Sequence, residues 1–131
     1  DNDNGRFNFA VCLLNGTGIE QNREKAQKLL KKAAKNGHPE AMYTLGNLYQ
    51  DGRGFSHNPQ QAVTWYRRAA AQNHGPALRA LGTAFLEGRG VARNKEKAEY
   101  YLKQAAGHGS DKALRLLQKQ FNKDGRQEER D

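Results

Sequence analysis

The sequence predicts an all-α solenoid of antiparallel helix pairs, and three observations support this prediction. First, a 36-residue unit recurs without insertion or deletion over residues 5–40, 41–76 and 77–112. Second, each unit has two glycines, separated by one residue, near its middle. Third, each unit carries a pair of adjacent alanines towards its end. A fixed period of this length is typical of stacked-repeat proteins, in which each unit buries its apolar face against its neighbours.

Each unit contains two predicted helices, A and B. In the first unit, apolar spacing predicts helix A over Arg6–Leu14 and helix B over Arg23–Asn36. The glycines between them allow a sharp reversal, because glycine adopts the left-handed conformation that a Cβ disfavours. Asparagine then stands where the next helix begins, at Asn22, Asn58 and Asn94, and we expect it to act as the N-cap.

The later units repeat this arrangement. The expected ranges are Glu40–Gln50, Pro59 to about Asn73, Pro76–Glu87, and the residues from Asn94 to about Gly107. Inside helix B, small residues (Ala33, Ala69, Ala105) allow close approach of the neighbouring helices, and large ones fill the space beside them. The large residues are Leu29, Trp65, Tyr101, Leu30, Tyr66 and Leu102.

The two ends of the chain differ from the repeats. Residues 1–4 form a polar lead, and the solenoid domain covers residues 5–121. Its last element is a capping helix over Lys112–Phe121, which begins at Ser110 or Asp111 and covers the exposed core of the third unit. Residues 122–131 lack apolar periodicity, so we expect a disordered tail.

The repeated motif resembles the Sel-one-like repeat family of tetratricopeptide-like α-solenoids. The pattern A-x3-L-G-x2-[YF]-x2-G-x-G begins at Ala41 and Ala77, and each copy ends in the alanine pair closed by Ala70 or Ala106. The resemblance covers residues 5 to about 121. One branch of the family has a disulfide in each repeat, and the single cysteine, Cys12, excludes that branch. The resemblance implies a scaffold that binds other proteins, without catalysis and without a cofactor.

No constellation of residues in the sequence indicates an enzyme or a metal site. The four histidines lack i, i+4 spacing on one helix, and Cys12 has no second thiol. The G-x-G turns lack both the third glycine and the preceding strand of a dinucleotide-binding loop. His38 and His74 follow helix B, where we expect them to interact with the negative end of its dipole.

The net charge is +8, spread over all three repeats with acidic residues interspersed. Lys25, Lys28, Lys32 and Lys35 form a stripe on the first helix B. One interpretation is a nucleic-acid contact; the interpretation we favour is a solvated convex face, because Ala26 and its partners define the buried side. No apolar run is long enough to span a membrane. The compartment stays open between bacterial periplasm and cytoplasm, and the oligomeric state is unknown.

One further pattern predicts a binding surface. The residues of helix A opposite its packed side should line the inner, concave wall of the solenoid, as A helices do in superhelices of helix pairs. The predicted partner-binding residues are Phe7, Val11, Leu14, Tyr43, Asn47, Gln50, Arg79, Thr83, Leu86, Arg115 and Lys119. A different explanation for the first three is that they pack on an upstream unit.

The predicted function is a non-enzymatic scaffold or adaptor that holds a protein or peptide segment, with acidic groups, in the concave groove. Phe7, Val11, Leu14 and Tyr43 would anchor the segment, and the cations along the wall would orient it. An alternative is an immunity-type protein that neutralises a secreted bacterial toxin or enzyme by direct binding. A further alternative is a nucleic-acid binder that uses the lysine stripe.

Overall fold

The computed structural model describes residues 2–16, 22–52 and 57–122, and this part of the chain is helical throughout its regular structure. The prediction of an all-α solenoid is confirmed. The helices are α1 (Asn2–Asn15), α2 (Arg23–Lys35), α3 (Pro39–Asp51), α4 (Pro59–Ala70), α5 (Gly75–Glu87), α6 (Lys95–Gly107) and α7 (Asp111–Leu117), followed by a π-helical turn at Gln118–Asn122. Each helix packs against the helices before and after it in the chain, so the A and B helices alternate along the stack.

The B helices begin where the asparagines predicted. The side-chain oxygens of Asn22, Asn58 and Asn94 accept hydrogen bonds from the backbone N–H three residues later, at 3.0–3.1 Å. Ser110, and not Asp111, caps α7 in the same way through the N–H of Ala113, at 3.1 Å. Each cap satisfies one of the amide groups that the first turn of a helix leaves without an intrahelical partner.

Glycine ends the A helices in the left-handed conformation. Gly52 and Gly88 close α3 and α5 with φ of 70° and 73°. The second glycine of the third turn, Gly90, also has a positive φ, of 74°, and lies against the backbone carbonyl of Pro59 in the preceding unit. Its role is therefore both conformational and steric. The corresponding glycines of the first two turns, Gly18 and Gly54, lie outside the described residues.

The core consists of two apolar clusters in which the B-helix residues meet the middle of the A helices. Leu30, Tyr66 and Leu102 occupy the same repeat position and are fully buried. Opposite them stand Gly46 in α3 and Gly82 in α5. A Cβ at Gly46 would lie 2.5 Å from the Tyr66 ring, and one at Gly82 would lie 2.8 Å from Leu102. Glycine in mid-helix therefore makes room for the large B-helix side chain.

Several predicted details are wrong. Helix α1 begins at Asn2, so most of the predicted polar lead is helical. The capping helix changes from α to π geometry at Gln118, and residues 123–131, predicted to be a disordered tail, lie outside the described part. Phe9 is 42% exposed, whereas Leu45 and Leu81 at the same repeat position are buried. A B helix precedes each of those leucines, and none precedes α1 in the described residues.

The prediction for the histidines also needs correction. The ring of His38 caps the start of α3, where its Nδ1 accepts a hydrogen bond from the N–H of Ala41 at 3.1 Å. His74 occupies the same position before α5 without a side-chain cap bond. Both rings therefore lie at the start of the following helix, at the positive end of its dipole.

Within the described ranges, none of the helices combines the length and the apolar character needed to cross a membrane. The helices form a short stack of amphipathic pairs, with the A helices on one side and the B helices on the other.

Candidate functional site: two cavities between the A helices

The first cavity lies between α1 and α3 and has a volume of about 510 Å³. Helix α1 provides two aliphatic side chains and one amide, α3 provides two polar side chains and one leucine, and Arg23 lies at the start of α2. The lining residues are Val11, Leu14, Asn15, Arg23, Thr44, Asn47 and Leu48.

The second cavity lies between α3 and α5 and has a volume of about 300 Å³. Tyr66 reaches it from α4, and Arg89 from the turn after α5. The lining residues are Tyr43, Asn47, Gln50, Asp51, Tyr66, Arg79, Ala80, Thr83, Ala84 and Arg89. Most of these side chains are polar or charged.

The two cavities are the same place in successive repeats. Val11, Leu14 and Thr44 line the first cavity, and the residues 36 positions later, Asn47, Gln50 and Ala80, line the second. Asn47 belongs to both, so the cavities are adjacent. In the second repeat, the amides Asn47 and Gln50 thus stand where the first repeat has the aliphatic residues Val11 and Leu14.

A hydrogen-bond network crosses the floor of the second cavity. The Tyr66 hydroxyl donates to Asn47 Oδ1 at 2.6 Å, and Gln50 Oε1 lies 3.4 Å from the same hydroxyl. Burial raises the pKa of Tyr66 well above its ordinary value, and the nearby Tyr43 and Asp51 add to this effect. The hydroxyl therefore stays protonated and keeps its role as donor at any physiological pH.

Arg79 provides the cation of the second cavity. Its Nη2 lies 3.4 Å from the Tyr43 hydroxyl, and no carboxylate of the described residues forms an ion pair with it. Arg89, in contrast, pairs with Glu87 at 2.8 Å. A third cavity of about 430 Å³, at the start of α5, shares Tyr43 and Arg79 with the second. Arg79 is thus half-buried at a junction of two openings.

Seven of the predicted partner-binding residues line the first two cavities, and four do not. The seven are Val11, Leu14, Tyr43, Asn47, Gln50, Arg79 and Thr83. Phe7 packs on the first core cluster with its ring 5.2 Å from that of His38, and Leu86 packs on the second cluster. Arg115 and Lys119 are exposed beyond the cavities, on α7 and the π-helical turn.

Two of the three predicted α1 residues face the next A helix. Val11 and Leu14 face the cavity towards α3, which is on the downstream side. Phe9 of the same helix is exposed, although Leu45 and Leu81 at the same repeat position are buried. Lys25 Nζ lies 5.3 Å from the centroid of the Phe9 ring.

Tyr66 was missed by sequence reasoning as a site residue, because its repeat position predicts a core filler. It is fully buried, and only its hydroxyl reaches the cavity. A signal was present in the sequence: the other two repeats have leucine at this position, and only the second repeat has amides at the facing positions, Asn47 and Gln50.

The remaining candidates form no site among residues 2–16, 22–52 and 57–122. No cluster of histidine, cysteine and carboxylate side chains there could hold a metal ion. Cys12 is half-buried, at the repeat position of Leu48 and Ala84. Lys25, Lys28, Lys32 and Lys35 are all exposed on the outer side of α2.

Comparison with known proteins identifies the repeats. The Sel1 repeat family model matches residues 5–38, 39–74 and 75–110. A Sel1 repeat protein from Oxalobacter formigenes superposes with a TM-score of 0.83 at 35% identity, covering 89% of this chain and 88% of that one. No protein with curated function is detectably similar in sequence.

Two further solved structures share the fold. The protective antigen c5321 of uropathogenic Escherichia coli, which displays an SLR fold, has a TM-score of 0.85 at 30% identity over 88% of this chain, but the match spans only 25% of the antigen. Helicobacter pylori cysteine rich protein B has a TM-score of 0.72 at 23% identity, with 88% and 95% coverage, which shows the fold alone. Sel1 repeats are in general a non-catalytic fold for protein–protein interaction. Three consecutive matches over most of the sequence establish that this chain belongs to the Sel1 repeat family.

Proposed function

We propose that this chain is a scaffold that binds a segment of another protein across the first and second cavities. The observation that carries the proposal is the placement of seven side chains from α1, α3 and α5 around two adjacent openings. Side chains that face an opening in a packed helical stack are available to a ligand without disturbing the core.

The chemistry of the two cavities describes the segment. The first cavity offers Val11 and Leu14, so it suits an aliphatic side chain. The second offers Arg79, Asn47 and Gln50, so it suits a polar or anionic group. The two cavities lie on either side of α3, and a helix with its side chains is about 10–12 Å across, which an extended chain spans in about three residues. The partner segment therefore carries an aliphatic and an acidic residue about three positions apart.

Site-specific photo-crosslinking in cells that make the full-length protein tests this proposal. A crosslinking amino acid at Thr44, in the first cavity, and at Thr83, in the second, should attach the same partner. The control positions are Lys32 and Lys103, which are exposed on the B helices. Adducts formed from the control positions and absent from Thr44 and Thr83 would reject the groove as the binding surface.

A further inference from the structure

We infer that the second cavity is a carboxylate-binding subsite, and that Tyr66 is a positioning residue that turns the Asn47 side chain so that its amide N–H groups face the ligand. The inference rests on the proposed scaffold function and adds the chemistry of the group that the partner inserts there. It depends on the hydrogen bond between Tyr66 and Asn47, on the burial of Tyr66, and on the position of Arg79.

The orientation of Asn47 follows from the Tyr66 hydroxyl. A phenol that donates at 2.6 Å occupies the carboxamide oxygen, and the group that remains is the NH₂ with its two donors. Without the hydroxyl, the carboxamide can rotate and offer either end. Gln50 Oε1 lies 3.4 Å from the same hydroxyl, but the single phenolic proton is donated to Asn47, so the hydroxyl fixes the orientation of Asn47 alone.

The position of Tyr66 is itself fixed. Its ring is fully buried between the helices, and the absence of a side chain at Gly46 leaves the space that it fills, since a Cβ there would lie 2.5 Å from Cε1. A hydroxyl held by a closely packed ring cannot follow a rotating amide. The amide must therefore adjust to the phenol.

The other groups at this end of the cavity are also donors. Arg79 has five N–H groups and no carboxylate partner among the described side chains. The Tyr43 hydroxyl, 3.4 Å from Arg79 Nη2, keeps its own proton to donate. The Thr83 hydroxyl is the exception, because its proton is already donated to the Arg79 carbonyl at 3.0 Å. A wall of donors with one cation selects an anionic acceptor, and in a protein segment that is a carboxylate.

The acidic group of the cavity lies at its other end. Asp51 follows Tyr43 by eight residues on α3, which is about 12 Å along the helix axis, whereas it is one turn from Asn47, and its charge contributes to the raised pKa of Tyr66. Arg89, which pairs with Glu87, lines the cavity as well. The donor end around Arg79 is therefore electrostatically distinct from the end at Asp51.

The test uses three hexapeptides that share one leucine. The first has a glutamate three residues after the leucine and both termini blocked; the second has glutamine there and a free carboxyl terminus; the third has glutamine and both termini blocked. Binding is followed by NMR through the Asn47 side-chain amide signal. We expect at least one carboxylate peptide to bind about tenfold more tightly than the neutral one, and the better of the two identifies a side-chain or a terminal carboxylate as the source.

Variants separate the two parts of the inference. Arg79→Gln should abolish the preference for carboxylate. Tyr66→Phe should reduce the preference about fivefold while the neutral peptide, held through its leucine, binds as before. Tyr101→Phe is the matched control, since Tyr101 is partly buried on α6 and lines neither of the first two cavities. A circular dichroism melt of each variant confirms that it is folded.

Three outcomes would overturn the inference. Equal affinity for all three peptides, or no shift of the Asn47 signal at millimolar concentration, would refute the carboxylate subsite. An unchanged preference in Tyr66→Phe would refute the positioning role. These failures differ from that of the scaffold function: a carboxylate preference with no crosslinking from Thr44 and Thr83 would reject the scaffold proposal alone, whereas crosslinking with no preference would reject this inference alone.

Discussion

The first and second cavities occupy the same place in successive repeats, but their walls differ in apolar content. Both lie between successive A helices, and six lining positions of the first cavity recur 36 residues later in the second. Val11 in one becomes Asn47 in the other, and Leu14 becomes Gln50. The core positions behind them stay apolar, apart from the hydroxyl of Tyr66. The comparison shows that a repeat protein can vary its inner wall independently of the residues that hold the repeats together.

The largest effect should come from removing the space that Tyr66 occupies. We expect Gly46→Ala to reduce the free energy of unfolding by about 2 kcal/mol, because the new methyl group would overlap the Tyr66 ring. The measurement is chemical denaturation, and Gly5→Ala in α1 is the matched control. Gly5 has no atom within 4 Å of the Cβ position, so alanine there should stabilise by about 0.5–1 kcal/mol. Equal effects at the two sites would contradict the packing described for the second cavity.

The next effect concerns partner binding through the first cavity. Val11→Asp places an anion against Leu14, and we expect it to weaken partner binding by about tenfold or more, from the lost apolar contact and the desolvation of the charge. Partner binding to the purified variant would be measured by calorimetry once crosslinking has identified the partner. Leu114→Asp on α7 is the control, since Leu114 is exposed and lines neither of the first two cavities. An unchanged affinity for Val11→Asp would mean that only the second cavity binds the partner.

A smaller effect should depend on pH at the start of α5, where His74 lies. Burial lowers the pKa of His74, with His38 acting in the same direction and Glu40 opposing it. The Tyr43 ring lies 5.5 Å from His74. Because the unfolded histidine binds its proton first, stability should fall as the pH drops below about 6.5 and on through the lowered pKa. The difference should saturate below that pKa.

Thermal melts between pH 5 and 8 measure this dependence. His74→Gln should flatten it, since glutamine does not titrate and keeps a polar side chain before α5. A melting curve whose pH dependence is the same in His74→Gln would show that another group is responsible. The equivalent histidine before α3 has a different environment. The Nε2 of His38 lies 2.7 Å from Asn4 Oδ1, whereas His74 Nε2 is buried without a hydrogen-bond partner in the described part of the chain.

The smallest effect should come from the outer face. Lys28→Gln combined with Lys32→Gln removes two exposed cations of α2, and we expect partner affinity to change by less than about twofold, since exposed charges at a distance are screened by salt. The same double variant tests the nucleic-acid alternative by gel shift at low salt. A mobility shift of RNA or DNA that the double variant loses would favour that alternative over the scaffold.

The sequence was sufficient for the fold because the repeat is exact in length and its turns and caps are local signals. Asn22, Asn58 and Asn94 cap helices wherever they occur, and the position of Gly52 depends only on the end of α3. Much of the candidate site was predictable for the same reason: a helix that packs on one side presents its other side at known offsets.

The remaining parts depended on contacts between distant residues. The predicted cations Arg115 and Lys119 follow the helical offsets of the wall, but they lie on the last helix and its π-helical turn, after which no further A helix follows in the described residues to form a cavity. By its repeat position Tyr66 is a core residue, and only its hydroxyl group extends out of the core. Phe9 has the pattern of a core residue and is exposed on α1, before which the described residues contain no B helix. Each of these depends on position within the assembly of repeats, which periodicity does not encode.

The contact of Gly90 with the carbonyl of Pro59 has a consequence for how such a protein can change over time. This contact joins main chain to main chain across two units. The spacing of the units there therefore depends on the absence of a side chain at Gly90 and not on the identity of other side chains. Mutations along the inner wall can accumulate without altering the pitch of the stack. A lineage of such proteins could acquire new partners by exchanging a few wall residues, while a single methyl group at Gly90 would disturb the frame that all of those partners require.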